Sequence, residues 1–258
     1  MKLKKAFTIF FFTAVFSCLI FAQKAEKPTL FLVGDSTVNN SSESFQGWGN
    51  VIGEYFDKSK INVVNKARGG RSSRTFYTEG LWKEVVNELK SGDFVLIQFG
   101  HNDGGAIDKE KFRGSIRGIG EEKQEIIGQD GKPETVRTFG WYLRKFISDA
   151  KEKGASVVLL SPVPRNQWKD GKVKRENEAY GKWSRETAEK EKVFFVDLNE
   201  ITAQKYEKIG AETVGKEYFT TKDNTHTSPL GAKINAESVV EGLKKLKKFS
   251  LRKFVLKK

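Results

Sequence analysis

"TLFLVGDST", residues 29 to 37, decides the fold. Leu30 to Val33 form an unbroken apolar run with no polar alternation, which reads as a strand buried on both faces of a sheet. Gly34 and Asp35 then end the run and turn the chain into polar sequence. Working outward, "INVVNKA" (61–67), "DFVLIQFG" (93–100), "ASVVLLSP" (155–162) and "VFFVDL" (193–198) repeat the pattern. Helical periodicity lies between them, at about 47–58, 79–90, 136–153 and 175–191, with a last helix from about 229 to 247. Strands and helices that alternate in this way predict a parallel sheet covered on both faces, with right-handed crossovers. The expected class is α/β, a three-layer α/β/α arrangement around five parallel strands.

In such sheets ligands bind beyond the carboxyl ends of the strands. The four segments found there are "GDST", "RGGRSSR", "GHNDGG" and "SPVPRNQWKDG", all polar or glycine-rich. The stretch from Gly104 to Arg137 is too long for an ordinary connection. It reads either as a lid or substrate wall or as a decorative insertion.

Ser36 is the candidate nucleophile, since it stands where a strand end projects a side chain into a cleft. It is not in a G-x-S-x-G elbow, and an N-cap role is the structural alternative. A serine hydroxyl needs a base. The chain has two histidines, and His226, in "TTKDNTHTSP" (220–229), has Asp223 three residues before it. Asp223 could orient the imidazole across one helix-like turn; the alternative is an Asx-type turn ahead of a helix that starts near Pro229. Asn102, Gly70 and the Ser36 N–H could supply donors to a developing oxyanion. His101 is a candidate for substrate contact or for packing at a strand end. Arg71 and Arg74 could bind a carboxylate in bidentate fashion or form ion pairs. Trp168 could stack on a sugar or simply pack its loop.

Taken together, "GDST", the glycine of "RGGRSSR", "GHND" and "DNTH" resemble, in order, the four blocks of the SGNH (GDSL-like) hydrolase superfamily, which implies a flavodoxin-like fold. More narrowly, "GDSTV", "ARGGRSSRTFYTEG", "QFGHND", "TFGWYLRKFI", "SPVPRNQW" and "KDNTHTSPLGA" resemble the rhamnogalacturonan acetylesterases. The resemblance implies Ser36 as nucleophile, His226 as base and Asp223 as its orienting acid. It places the oxyanion hole at Ser36, Gly70 and Asn102, with Gly70 chosen over Gly69 because it directly precedes Arg71. The implied activity is a serine esterase that removes acetyl groups from an acidic pectic polysaccharide. Acetylated xylan or another acetylated glycan is the rival substrate, and a carbohydrate-binding protein without chemistry is the rival class.

Composition sets further expectations. Residues 1–22 read as a signal peptide, with a basic start and a short apolar run. Residues 23–258 are then one hydrolase domain with a basic C-terminal tail (about 249–258), secreted or periplasmic. Lipid anchoring through Cys18, the chain's one cysteine, fits less well, as does a membrane-inserted anchor. The whole chain carries 46 basic against 33 acidic residues, and such an excess in a secreted protein favours an acidic glycan over nucleic acid. No His/Asp/Glu cluster has metal-ligand spacing, so neither metal nor cofactor is expected. The chain is expected to be a monomer.

Overall fold

In a computed structural model, residues 26–42, 44–176, 178–220 and 223–257 are described. The segment read as a signal peptide, with Cys18, lies outside them. Five parallel strands form the central sheet: β1 (Thr29–Gly34), β2 (Asn62–Asn65), β3 (Phe94–Gln98), β6 (Ser156–Leu160) and β9 (Phe194–Val196). Their order is β2-β1-β3-β6-β9. All four pairings are parallel, with Leu32 opposite Asn65 on one side and Leu96 on the other. The order reverses between β1 and β3, so the connections leaving those two strands diverge and open a crevice at their carboxyl ends.

Both faces are apolar because each strand alternates between two cores. Leu30 and Leu32 of β1 pack with Trp48, Ile52 and the helix α7 (Pro229–Lys245) on one face. Phe31 and Val33 pack on the other face. There they meet α1 (Ser73–Thr78), α2 (Leu81–Glu88), α3 (Phe139–Glu152) and α4 (Tyr180–Lys190).

Residues 47–58 are not the expected helix. They form two 3-10 turns, Trp48–Asn50 and Ile52–Tyr55. A Cβ at Gly47 would lie 2.4 Å from the carbonyl carbon of Val38, so the chain is pressed against the turn after β1, and three glycines between residues 47 and 53 weaken the α-helix. A helix absent from the sequence reading, α5 (Leu198–Ile209), follows β9. Its buried stripe includes Asn199 and Thr202, which hides its amphipathic period. Residues 104–137 are tied to the body. They carry the hairpin β4 (Lys123–Ile127) and β5 (Pro133–Arg137), and Ile116 bridges to Thr138 at the start of α3.

Two short hairpins complete the active edge: β7 (Trp168–Lys169) with β8 (Lys172–Val173), and β10 (Phe219–Thr220) with β11 (Asp223–Thr227). The short helix α6 (Ala211–Thr213) precedes β10. Among the described residues no helix is long and apolar enough to cross a membrane.

Candidate active site

Ser36 opens the turn after β1. The Asp35 carbonyl accepts the N–H groups of Val38 and Asn39 at 3.1 and 3.0 Å, which fixes the turn. Beneath it runs a buried polar chain. Asp35 Oδ1 accepts the Thr37 N–H and hydroxyl, both at 2.8 Å. Thr37 in turn accepts the Gln98 amide, and Gln98 Oε1 accepts the Trp48 indole N–H at 2.9 Å. Asp35, Thr37, Gln98 and Trp48 are all buried, so each polar group must find a protein partner. The network therefore locks the nucleophile's backbone to the centre of the sheet.

His226 sits on β11 with Nε2 2.8 Å from Ser36 Oγ and Nδ1 2.8 Å from Asp223 Oδ2. Asp223 and His226 meet within an extended strand, not on a helical turn. Asp223 Oδ1 accepts the N–H groups of Thr225 and His226, each at 2.7 Å, an Asx-type turn that brings the two side chains together. The Asx-type turn and the contact between carboxylate and imidazole therefore coexist, without the helix-like turn. Ser228 accepts the Gly231 N–H at 3.2 Å and caps α7, while Asp223 turns the backbone and holds the imidazole. Partial burial works against the charged form of Asp223, but the His226 amide, the imidazole and the Thr225 amide outweigh it and hold the carboxyl below its ordinary range. Phe45 packs against the other side of the imidazole, ring centroids 5.3 Å apart. Gln46 and Thr227 exchange hydrogen bonds that zip that loop to β11.

Asn102 follows β3. One N–H of its side-chain amide donates to the Arg71 carbonyl at 2.9 Å, which leaves the second free for another acceptor. The backbone N–H groups of Ser36 and Gly70 have no protein acceptor among the described residues. Gly70 has φ +77°, a conformation that favours glycine. Its neighbour Gly69 also borders the nucleophile: a Cβ added there would lie 3.7 Å from Ser36 Cβ.

The expected substrate contacts divide. The His101 side chain is buried, with Nδ1 3.2 Å from Asp35 Oδ2 and Nε2 3.0 Å from the Val163 carbonyl. Both ring nitrogens face protein acceptors, so the ring braces the floor of the site and does not face substrate. Burial alone would push Asp35 up, but the imidazole and the Thr37 donors hold it below its ordinary range. Arg74 is wholly buried. It forks onto Glu134 at 2.7 and 2.8 Å and donates to the Ile107 and Gly114 carbonyls, so it clamps the insertion and is closed to substrate. Arg71 is half-buried at the rim but already pairs with Glu79 at 2.8 Å. Trp168 packs against the satellite cluster of Val173, Tyr206, Val214 and Phe219, its indole N–H held by Asn166 at 2.7 Å. That contact set is loop packing.

Two guanidinium groups absent from the sequence reading reach the site. Arg165 donates to the Thr225 hydroxyl and, at 3.3 Å, to the His101 carbonyl, joining β11 to the loop after β3. Arg113, in the insertion, donates to the Gly70 carbonyl at 3.3 Å. No local sequence signal marks either, because their partners lie dozens of residues away.

Residues 32–234 match the model of the GDSL-like lipase/acylhydrolase family. The chain is 34% identical over 215 residues to a rhamnogalacturonan acetylesterase of Emericella nidulans, covering 83% of this chain and 84% of that one. It is 32% identical over 234 residues to the rhamnogalacturonan acetylesterase RhgT of Bacillus subtilis, covering 84% and 90%. Among solved structures, the YxiM protein of Bacillus subtilis superposes with a TM-score of 0.68 at 27% identity, over 86% of this chain and 58% of that one. An acetyl-xylooligosaccharide esterase from Geobacillus shares the fold, with a TM-score of 0.57 at 17% identity.

Proposed function

The chain belongs to the GDSL-like lipase/acylhydrolase family and is a carbohydrate acetylesterase, and from that premise we propose that it is secreted and removes O-acetyl groups from rhamnogalacturonan. The observation that carries the mechanism is the unbroken relay from Ser36 Oγ through His226 to Asp223, each link 2.8 Å. Ser36 attacks the acetyl carbonyl as His226 Nε2 takes its proton. Asp223 keeps the other imidazole proton on Nδ1 and balances the imidazolium that forms. The oxyanion is held by the free N–H of the Asn102 amide and the N–H groups of Ser36 and Gly70. His226 then protonates the departing sugar hydroxyl. A water molecule, deprotonated by the same nitrogen, hydrolyses the acetyl-enzyme and frees acetate. The substrate choice is supported by the rhamnogalacturonan acetylesterases to which the chain is similar and by its excess of basic residues.

Acetate release from acetylated rhamnogalacturonan and acetylated xylan, with wild type and Ser36→Ala in parallel, tests this reading. Release from the pectic substrate that vanishes in the variant is the expected outcome. Equal release from both glycans keeps the mechanism and removes the pectic assignment. A Ser36→Ala rate near wild type removes Ser36 from the chemistry.

A further inference from the structure

Three arginines near the active edge are spoken for by carboxylates. Arg74 spends its donors on Glu134 and two carbonyls, Arg71 pairs with Glu79, and Arg175 pairs with Glu200 and Glu207. Arg113 is different. It is half-buried at the rim of the site, yet among the described residues its guanidinium has no carboxylate partner. Its one hydrogen bond is the long contact to the Gly70 carbonyl, so four of its five N–H donors are unspent. It also lies beside the proposed oxyanion donors. Gly70 is adjacent to the glycine that abuts Ser36, and a Cβ at Gly105 would lie 3.6 Å from Arg113 Cγ.

Strained and tightly packed backbone brackets this side chain. Glu110 and Phe112, just before it, have φ of +57° and +48°, strain that folded proteins tend to keep at functional sites. Gly114, just after it, is packed so tightly that a Cβ would lie 1.9 Å from the Gly105 carbonyl oxygen. The Gly114 N–H donates to Ala106, and its carbonyl accepts from buried Arg74. A half-buried guanidinium on a constrained backbone, with its fork empty, is a receptor for a planar anion, and a carboxylate matches that fork in two parallel hydrogen bonds.

We propose that Arg113 binds the carboxylate of the galacturonate unit whose acetyl group is removed, and so makes this esterase selective for acidic glycans. The inference rests on the pectic reading above. In galacturonate the carboxylate on C5 and the hydroxyls on C2 and C3 lie across one pyranose ring. An acetyl carbonyl seated over Ser36 therefore sends the carboxylate about one ring away, where Arg113 borders the oxyanion donors. A neutral xylose unit has nothing to fill that fork.

The test compares wild type, Arg113→Gln and Arg113→Lys on three esters: acetylated rhamnogalacturonan, the same polymer with its carboxylates methyl-esterified, and neutral 4-nitrophenyl acetate. Arg113→Gln should lose about 10–100-fold more kcat/KM on the acidic polymer than on the neutral ester, the worth of one charge-assisted pair. Arg113→Lys should recover part of that, having the charge but not the fork. Methyl esterification should bring wild type down to the level of Arg113→Gln, and cost the variant nothing further. Equal losses on all three esters would overturn the proposal, because Arg113 would then only shape the oxyanion hole. So would no loss on the acidic polymer, or a wild type indifferent to esterification; these leave the pectic assignment standing. A wild type that cleaves 4-nitrophenyl acetate but not acetylated rhamnogalacturonan would remove both.

Discussion

At the scale of single residues, two carboxyls beside the site are driven in opposite directions. Asp223 is kept ionised by the donors around it, so its contribution to stability is present at neutral pH and is lost only as pH falls through its lowered folded value. Asp103 is wholly buried and raised to about 7, because burial outweighs the donors Ser73 and Ser115 and the nearby Asp35 adds repulsion. Its Oδ2 has no partner among the described residues. Here the folded value lies above the unfolded one, so the sign reverses. Below the ordinary carboxylate range the group costs nothing, and stability is lost as pH rises from about 4 toward 7. Asp103→Asn removes that dependence. Its melting temperature should gain on wild type as pH is raised from 5 to 8, by an amount worth at most a few kcal/mol. A constant difference across that range would show that Asp103 is ionised in the folded protein throughout.

Between elements at the active edge, arginines add ties to the apolar packing of the two cores. Buried Arg74 on α1 carries Glu134 of β5 and two carbonyls of the insertion. Arg74→Ala leaves Glu134 and both carbonyls without their donor. Urea titration should show a loss of about 3–5 kcal/mol, as expected when one partner of a buried pair is removed. A loss under 1 kcal/mol would mean that water replaces the guanidinium. Arg165 is placed to hold the strand that carries His226. It ties Thr225, next to His226, to the His101 carbonyl. Arg165→Ala should therefore lower kcat on acidic and neutral esters alike, with little change in KM. A defect confined to acidic substrates would assign Arg165 to substrate binding instead.

Across the whole molecule, the basic C-terminal stretch is docked, not free. Reading about 249–258 as a basic tail suits its lysines but not its aromatic residues. Phe249, Leu251 and Phe254 are buried, and Phe249 packs 5.6 Å from Phe94 and 4.6 Å from Phe194, ring centroid to centroid. Those residues begin β3 and β9, so the stretch closes the end of the sheet away from Ser36. Ending the chain after Lys248 should cost several kcal/mol, since each buried large side chain contributes about 1.5–3 kcal/mol. The folded fraction should keep its kcat. A truncated protein as stable as the full chain in chemical denaturation would show that this packing contributes nothing.

What the sequence determined by itself was the frame and the chemistry at its edge. Short apolar runs set the five strands, because the three central ones are buried on both faces and the two edge strands, β2 and β9, keep the same Val- and Phe-rich pattern. Ser36, Asn102 and His226 could be singled out because each stands in a polar segment after such a run, or beside its own local partner. The tertiary structure alone decided which charges are available. Arg74, Arg71 and Arg113 look alike in sequence, yet one is clamped 60 residues away on Glu134, one is paired locally with Glu79, and one is left with an empty fork. His101, likewise, turned from the cleft because Asp35 and Val163, each more than 60 residues distant, supply both its acceptors. A side chain's chemistry is carried in its identity, but its partner is set by which distant segments the sheet brings together, and only folding specifies that.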